Sequence, residues 1–317
     1  MRRLRIGLLG CGTVGGGFVQ LVAAERDRIR ARFGLDLDIV RILVRDLEKE
    51  RAGVHRALLT TSALDVIDAG CDLVVEAIGG VHTAGTLVRR AIERGCDIVT
   101  ANKALLAAAG RELFRAAAAR GVTIGFEASV CGGVPVVGAL RRGLAGDTIE
   151  SITGILNGTC NYVLTRMERG FPFADAVVHA QERGFAEADP SLDLSGEDAA
   201  QKLRILAEVA FDAPVRRERV RGIGEQTRGK LIAEARRVAG GVELIVEPRE
   251  DARFAHVVDE QNAVIIRGRA VGDVWLSGRG AGSMPTAAAL LADVLECGDA
   301  SRRSLAATPV AAAGAAA

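Results

Sequence analysis

The run Leu4–Leu9, LRIGLL, stops at Gly10-Cys11-Gly12-Thr13-Val14-Gly15, and helical periodicity follows from Val14 to Arg32. A short apolar strand, a Gly-x-Gly-x-x-Gly turn and a helix, in that order, leave few folds open. Gly10 permits the tight turn, Gly12 lets the backbone approach a pyrophosphate, and Gly15 lets the helix pack close to the strand. An anion then meets the helix N-terminus, where N–H groups without intrahelical partners and the helix dipole favour negative charge. The glycine spacing alone fits any tight turn; its place between strand and helix makes it a dinucleotide-binding signature.

The rest of the first half repeats the alternation. A second strand spans Leu37–Val44, followed by DLVVEAIGG (72–80), a helix over 82–94, DIVTANK (97–103), a helix over 105–120 and VTIGFEA (122–128). Short buried-looking strands separated by helix-period segments predict a Rossmann-type, doubly wound parallel sheet with right-handed crossovers. Ligands collect at the carboxyl ends of such strands, which makes Gly79 and Lys103 candidates beside the glycine loop. The competing reading of Lys103 is a solvated lysine at a helix start. The end of the second strand decides cofactor choice: an acid suits the free ribose hydroxyl of NAD, a base the 2′-phosphate of NADP. Val44-Arg45-Asp46 offers both chemistries: Arg45 leans toward NADP, Asp46 keeps NAD open, and the expected cofactor is NADP or NAD.

From Glu127 the pattern changes. EASVCGGVPVVGALRRGL contains a Gly-Gly turn with Pro135 just inside a helix start, and backbone carbonyls in so tight a turn suit a hard monovalent cation. A strand at Ser151–Leu156 leads through Asn157-Gly158-Thr159 into a helix to Arg169. Strand character returns at 242–247, 254–258, 263–268 and 273–277. This predicts an α+β domain with a mixed sheet, the natural surface for a homodimer. A second glycine-rich turn, Gly278–Thr286, opens a helix to about Leu295 that is expected to return to the nucleotide domain. The organisation expected is therefore a dinucleotide domain over 1–128 joined by the helix 282–296, a substrate and dimerisation domain over 129–281, and a flexible Ala-rich tail over 305–317.

The second half also carries the densest chemistry, GFAEADPSLDLSGEDAAQKL (184–203). Ser195 is the expected N-cap of a helix starting near Gly196. On a wheel of that helix, Glu197, Gln201, Arg204 and Glu208 share a wet face. Asp198 and Lys202 fall instead among Ile205, Leu206 and Val209, on or beside the buried stripe. Charges there need partners, and Glu187 and Asp193 are the upstream candidates. A structural salt-bridge network is the plain alternative. A carboxylate pair with an ammonium, however, can hold an amino acid and move a proton.

Composition removes other classes. A net charge of +1 and 3% aromatic residues argue against an electrostatic or stacking surface for nucleic acid, and against a charged membrane surface. No apolar run reaches membrane-spanning length. The six cysteines show no CxxC spacing, which excludes a zinc ribbon and suits a reducing cytoplasm. The basic start leads into a strand cut by glycines, unlike a signal peptide.

Five stretches together resemble the homoserine dehydrogenases: GLLGCGTVGGG (7–17), VTANKALLA (99–107), NGTCNYVLTRM (157–167), the acid-rich 184–203 and GRGAGSMPTAAALLAD (278–293). The resemblance runs from the start to about residue 296. It implies NAD(P)H-dependent interconversion of L-aspartate 4-semialdehyde and L-homoserine in threonine, methionine and isoleucine biosynthesis. It further implies Lys202 as general acid/base, Glu187 and Asp198 holding the substrate ammonium with Asp193 nearby, and Lys103 beside the nicotinamide. Thr13, Val14, Gly184 and Gly282 would line the cofactor. Glu127, Val130, Gly132 and Val134 would bind sodium through main-chain oxygens. Two departures stand out. Gly222–Glu243 looks shorter than the helical stretch usual there, and no ligand-sensing C-terminal domain follows, so threonine feedback through one is not expected. Two rivals remain: a phosphorylating semialdehyde dehydrogenase using Cys131 or Cys160 as nucleophile, and a non-catalytic NADP sensor.

Overall fold

The computed structural model describes residues 1–299, so the Ala-rich stretch 305–317 lies outside the described residues. The chain forms two compact units, one from Met1–Ser129 with the segment beginning at Gly282, the other from Val130–Ala281. In the first unit the order is β1 (Arg2–Leu9), α1 (Thr13–Ala24), α2 (Arg26–Phe33), β2 (Leu35–Leu43), β3 (Leu59–Thr60), α3 (Ala63–Ile67), β4 (Leu73–Glu76), α4 (His82–Glu93), β5 (Asp97–Thr100), α5 (Lys103–Arg120) and β6 (Ile124–Gly125). The six strands are parallel in the order β3-β2-β1-β4-β5-β6. The order reverses between β1 and β4, and the glycine loop leaves β1 at that switch point. Leu4, Ile6 and Leu8 alternate along β1 and are fully buried in one cluster with Phe18, Val19 and Val22 of α1. Burial of each such side chain stabilises by about 1.5–3 kcal/mol, which anchors the loop between strand and helix.

Two local expectations change here. The helix expected over 14–32 is two helices broken at Glu25. Only Ile29 of α2 is buried, and it joins the core cluster with Phe18, Val19 and Val22 of α1, so a single anchoring side chain holds the charged segment and leaves its direction free to change at Glu25. The strand expected over 122–128 shortens to Ile124–Gly125 and continues as a 3-10 turn, Glu127–Ser129. There the Glu127 N–H donates to the Asp293 carboxylate at 2.8 Å instead of entering a ladder.

The second unit contains α6 (Val136–Gly138), β7 (Ile149–Ile155), α7 (Gly158–Glu168), α8 (Phe173–Glu182), α9 (Ser191–Leu194), α10 (Glu197–Ala210), β8 (Val215–Val220), β9 (Lys230–Val238), β10 (Gly241–Arg249), β11 (Gln261–Gly268) and β12 (Gly272–Arg279). Its sheet runs β12-β11-β7-β9-β10-β8, antiparallel except for the parallel pair β8–β10. Residues 254–258 do not form a strand. Asp251 caps a 3-10 turn, Ala252–Phe254, by accepting from the Arg253 N–H, and Phe254 enters a core cluster with Ile155, Ile232, Val257, Ala263 and Ile265. Nor is 222–243 a helical stretch, because β9 lies between β7 and β10. Its sequence KLIAEARRV favours helix locally, and pairing on both sides overrides that preference. β8, VRRERV, is an exposed edge strand, and its arginines discourage pairing with another chain.

The closing helix α11 (Ser283–Gly298) belongs to the first unit. Its Leu290 and Val294 join the cluster under β1, Arg2 donates to the Gly298 carbonyl at 2.8 Å, and Ser283 Oγ donates to the Thr13 carbonyl at 2.7 Å. A Cβ on Gly17 would lie 2.4 Å from Ser283 Oγ, so glycine there is what lets α11 begin against α1. Among the described residues no helix is long and apolar enough to cross a membrane.

Candidate active site

The first unit supplies a backbone-built cradle. Gly10 has φ +98, and a Cβ on it would lie 2.8 Å from the Ala77 carbonyl oxygen. A Cβ on Gly15 would lie 2.1 Å from the Gly10 carbonyl oxygen, so α1 can start this close to β1 only with glycine there. Nothing lies within 4 Å of a Cβ built on Gly12, which leaves open space over the first turn of α1. Thr13 is exposed and Val14 half-buried in that turn, which contains no acidic residue. These are the conditions for a pyrophosphate at a helix N-terminus. Gly282 caps α11 at φ 114 in the same unit.

Beyond β2, Arg45 and Asp46 are both exposed. The Asp46 carboxylate accepts the Glu48 N–H at 2.8 Å, which closes a local turn.

At the ends of β4 and β5 the structure reveals a residue the sequence reading passed over. Glu76 is fully buried. It accepts from the N–H groups of Ile78 (2.9 Å) and Gly79 (3.0 Å) and from Thr100 Oγ1 (2.5 Å). Asn102 donates its amide to the Gly80 carbonyl at 2.7 Å while its oxygen accepts from Leu105 N at 3.0 Å, capping α5. Together they tie Gly79 and the half-buried Lys103, first residue of α5, into one rim. The available signal was a lone carboxylate ending the otherwise apolar strand LVVE, since a buried charge needs several donors.

The second unit supplies a cluster built from side chains. Lys202, with a side chain 14% exposed, pairs with Asp198 at 2.7 Å one turn earlier on α10, and Asp198 is buried. The ammonium also donates to the Leu156 carbonyl at 2.9 Å. Burial pulls the Lys202 ammonium toward neutrality, but the charge of Asp198, with smaller effects from Cys131 and Asp193, outweighs it and holds the group protonated to higher pH than usual. The buried Asn157 amide donates to Asp193 and to Asp198, each at 2.7 Å. The Cys160 thiol donates to the Asp193 carbonyl at 3.1 Å. Burial first, then Asp193 and Asp198, pushes that thiol well above its ordinary pKa, which leaves it unsuited to nucleophilic work.

Asp193, Asp198 and Lys202 therefore come together, joined by Asn157. Glu187 does not join them: it is exposed, in the turn after Gly184, which ends α8 at φ 74. Ser195 is not the N-cap of α10. Residues 191–195 make their own turn, and Gly196, at φ 84, reverses the chain and takes the cap position without a side-chain hydrogen bond. In the stretch read as a cation loop, Glu127, Val130, Gly132 and Val134 are buried, and Cys131 and Gly132 are consecutive left-handed residues at φ 56 and 51.

Comparison with known proteins shows the family. A family model described as the homoserine dehydrogenase NAD-binding domain matches residues 10–127, and one described as homoserine dehydrogenase matches 135–295. The homoserine dehydrogenase of Bacillus subtilis is 40% identical over 315 residues, covering 93% of this chain and 73% of that protein. That of Pseudomonas aeruginosa is 40% identical over 318 residues, covering 93% and 72%. Among solved structures, a homoserine dehydrogenase from Thiobacillus denitrificans superposes with a TM-score of 0.89 at 42% identity, covering 98% of this chain and 75% of that one. A hyperthermophilic archaeal homoserine dehydrogenase in complex with NADPH superposes with a TM-score of 0.82 at 26% identity, covering 93% and 98%. Two family models that between them account for nearly all the described chain, and 40% identity sustained across it, leave one conclusion: this chain belongs to the homoserine dehydrogenase family.

Proposed function

We propose that Lys202 is the proton donor and acceptor of the reaction, with Asp198 and Asp193 as the carboxylates that receive the substrate ammonium and Lys103 as a second cation for the substrate carbonyl. As a homoserine dehydrogenase the chain is an NAD(P)-dependent oxidoreductase acting on a CH–OH group, reversibly reducing L-aspartate 4-semialdehyde to L-homoserine. The dinucleotide, when bound, supplies or accepts the hydride. In reduction, charge builds on the substrate oxygen, and an ammonium within reach donates a proton to it. An ammonium has three N–H groups. Lys202 gives one to Asp198 and one to Leu156, and the third is the one assigned here to the substrate oxygen. Glu187, exposed on its turn, is assigned to the outer end of the amino-acid substrate.

Gly10, Gly12, Thr13, Val14 and Gly15 would hold the pyrophosphate, with Gly79, Lys103, Gly184 and Gly282 as further cofactor contacts. NADP is the preferred dinucleotide in this reading. The observation favouring it is that Asp46 is engaged in its own turn, which leaves Arg45 as the side chain for a 2′-phosphate. Sodium is proposed for the main-chain oxygens of Glu127, Val130, Gly132 and Val134. Among the described residues no group of three or more His, Cys, Asp or Glu could hold a metal, so a cation would depend on hard carbonyl oxygens there. A cytoplasmic homodimer, using the mixed sheet, in threonine, methionine and isoleucine biosynthesis completes the proposal.

The pairing of Lys202 with Asp198 on the inner side of α10 is the observation that carries this reading. Lys202→Ala should lower kcat by roughly 10²–10⁴ and leave dinucleotide binding unchanged. Turnover at the parent rate would remove Lys202 from the chemistry.

A further inference from the structure

We propose that Asn157 is a positioning residue whose amide bridges Asp193 and Asp198 and so holds Lys202 on Asp198 with a proton it can exchange. The inference rests on Lys202 being the acid/base.

Asn157 is 2% exposed and stands between the end of β7 and the start of α7. Both N–H donors and the oxygen of its side-chain amide are engaged. The Oδ1 accepts from Cys160 N at 2.7 Å, capping α7, and the two N–H bonds of Nδ2 point one each to Asp193 Oδ1 and Asp198 Oδ2 at 2.7 Å. Two carboxylates on one side and a backbone N–H on the other admit only this orientation of the amide. The preceding residue, Leu156, gives its carbonyl to Lys202, so the dipeptide Leu156–Asn157 touches both the ammonium and its carboxylate.

The consequence follows from sharing. Asp198 Oδ2 accepts from both the Asn157 amide and the Lys202 ammonium. A carboxylate stabilised by a neutral donor needs its cation less. Remove the amide and Asp198 draws more heavily on Lys202, while the two carboxylates repel across the vacated position. The charged and titratable groups facing Lys202 are Asp198 on its own helix, Asp193 on α9, Cys160 on α7 and Cys131 in the loop before α6. Only the two aspartates receive the amide. Without it the protonated form of Lys202 gains stability, and the deprotonation that homoserine oxidation requires moves to higher pH.

Serine and aspartate both cap helices well, so Asn157→Ser and Asn157→Asp keep the N-cap acceptor and delete the bridge. Homoserine oxidation would be followed against pH in the parent, N157S, N157D and K202A, with melting temperature and dinucleotide affinity alongside. In N157S, kcat/KM for homoserine should fall roughly ten- to a hundredfold, and the limb on which the rate rises with pH should move up by about one unit. N157D, which adds a third carboxylate, should move the limb further, and dinucleotide affinity should hold in both. A merely structural role would lower the melting temperature and the rate without moving the limb, and that result overturns the proposal. So does a parent-like limb in N157S when K202A has lost activity. A parent-like rate and limb in K202A would instead sink the acid/base assignment itself, and the bridge with it.

Discussion

The glycine loop of the first unit and the acid–lysine cluster of the second reach function by opposite physical routes. Around Gly10–Gly15 the site is made by what is missing: a Cβ at Gly10 or Gly15 would meet backbone at 2.8 and 2.1 Å, and the recognition groups are peptide N–H groups at the start of α1. At Asn157, Asp193, Asp198 and Lys202 the site is made by side chains whose charges are buried and shared. The first kind tolerates change in any side chain that does not intrude. The second has no spare member, because removing one partner leaves another buried and uncompensated.

The largest effect tests that asymmetry where it is sharpest. K202A, measured by steady-state turnover, should lose orders of magnitude in kcat while dinucleotide binding persists, with a lowered melting temperature because Asp198 is left buried without its cation. The bridge variants N157S and N157D come next, read by the upward move of the pH limb. Smaller effects are expected in the glycine loop, where two alanines sharpen the contrast. Gly15→Ala drives a methyl into the Gly10 carbonyl, and overpacking of this kind costs about 1–3 kcal/mol, so the melting temperature should fall together with dinucleotide affinity. Gly12→Ala meets nothing in the protein and should weaken dinucleotide binding with little change in melting temperature. Equal losses of stability in the two would break the distinction between packing glycine and approach glycine. The smallest effect is expected of Arg45→Ala: KM for NADPH should rise roughly tenfold with KM for NADH unchanged, and an unchanged ratio would remove Arg45 from cofactor choice.

Legibility in the sequence followed the same division. The glycine loop could be read because its constraints are local: a turn, a close approach and a helix start each leave a residue-level mark. The inward placement of Asp198 and Lys202 could also be read, since a helix of known period puts them beside Ile205 and Leu206. Asn157 and Glu76 were not read as site residues. Their importance depends on partners 36 and 41 residues away for Asn157 and 24 away for the link from Glu76 to Thr100. β9 was missed because its composition favours helix, and Ser195 was misplaced as a cap because the short helix before it consumed the residue.

By itself, then, the chain's sequence determined the parallel α/β half, the turn that suits a pyrophosphate and the family to which the motifs point, because each depends on spacing along a single strand or helix. Which charges meet was decided only by the fold. The bridge from Asn157 to two aspartates, the link from Glu76 on β4 to Thr100 on β5 and the strand identity of β9 are long-range pairings. Their free energy exists only once segments remote in sequence are brought within hydrogen-bond distance.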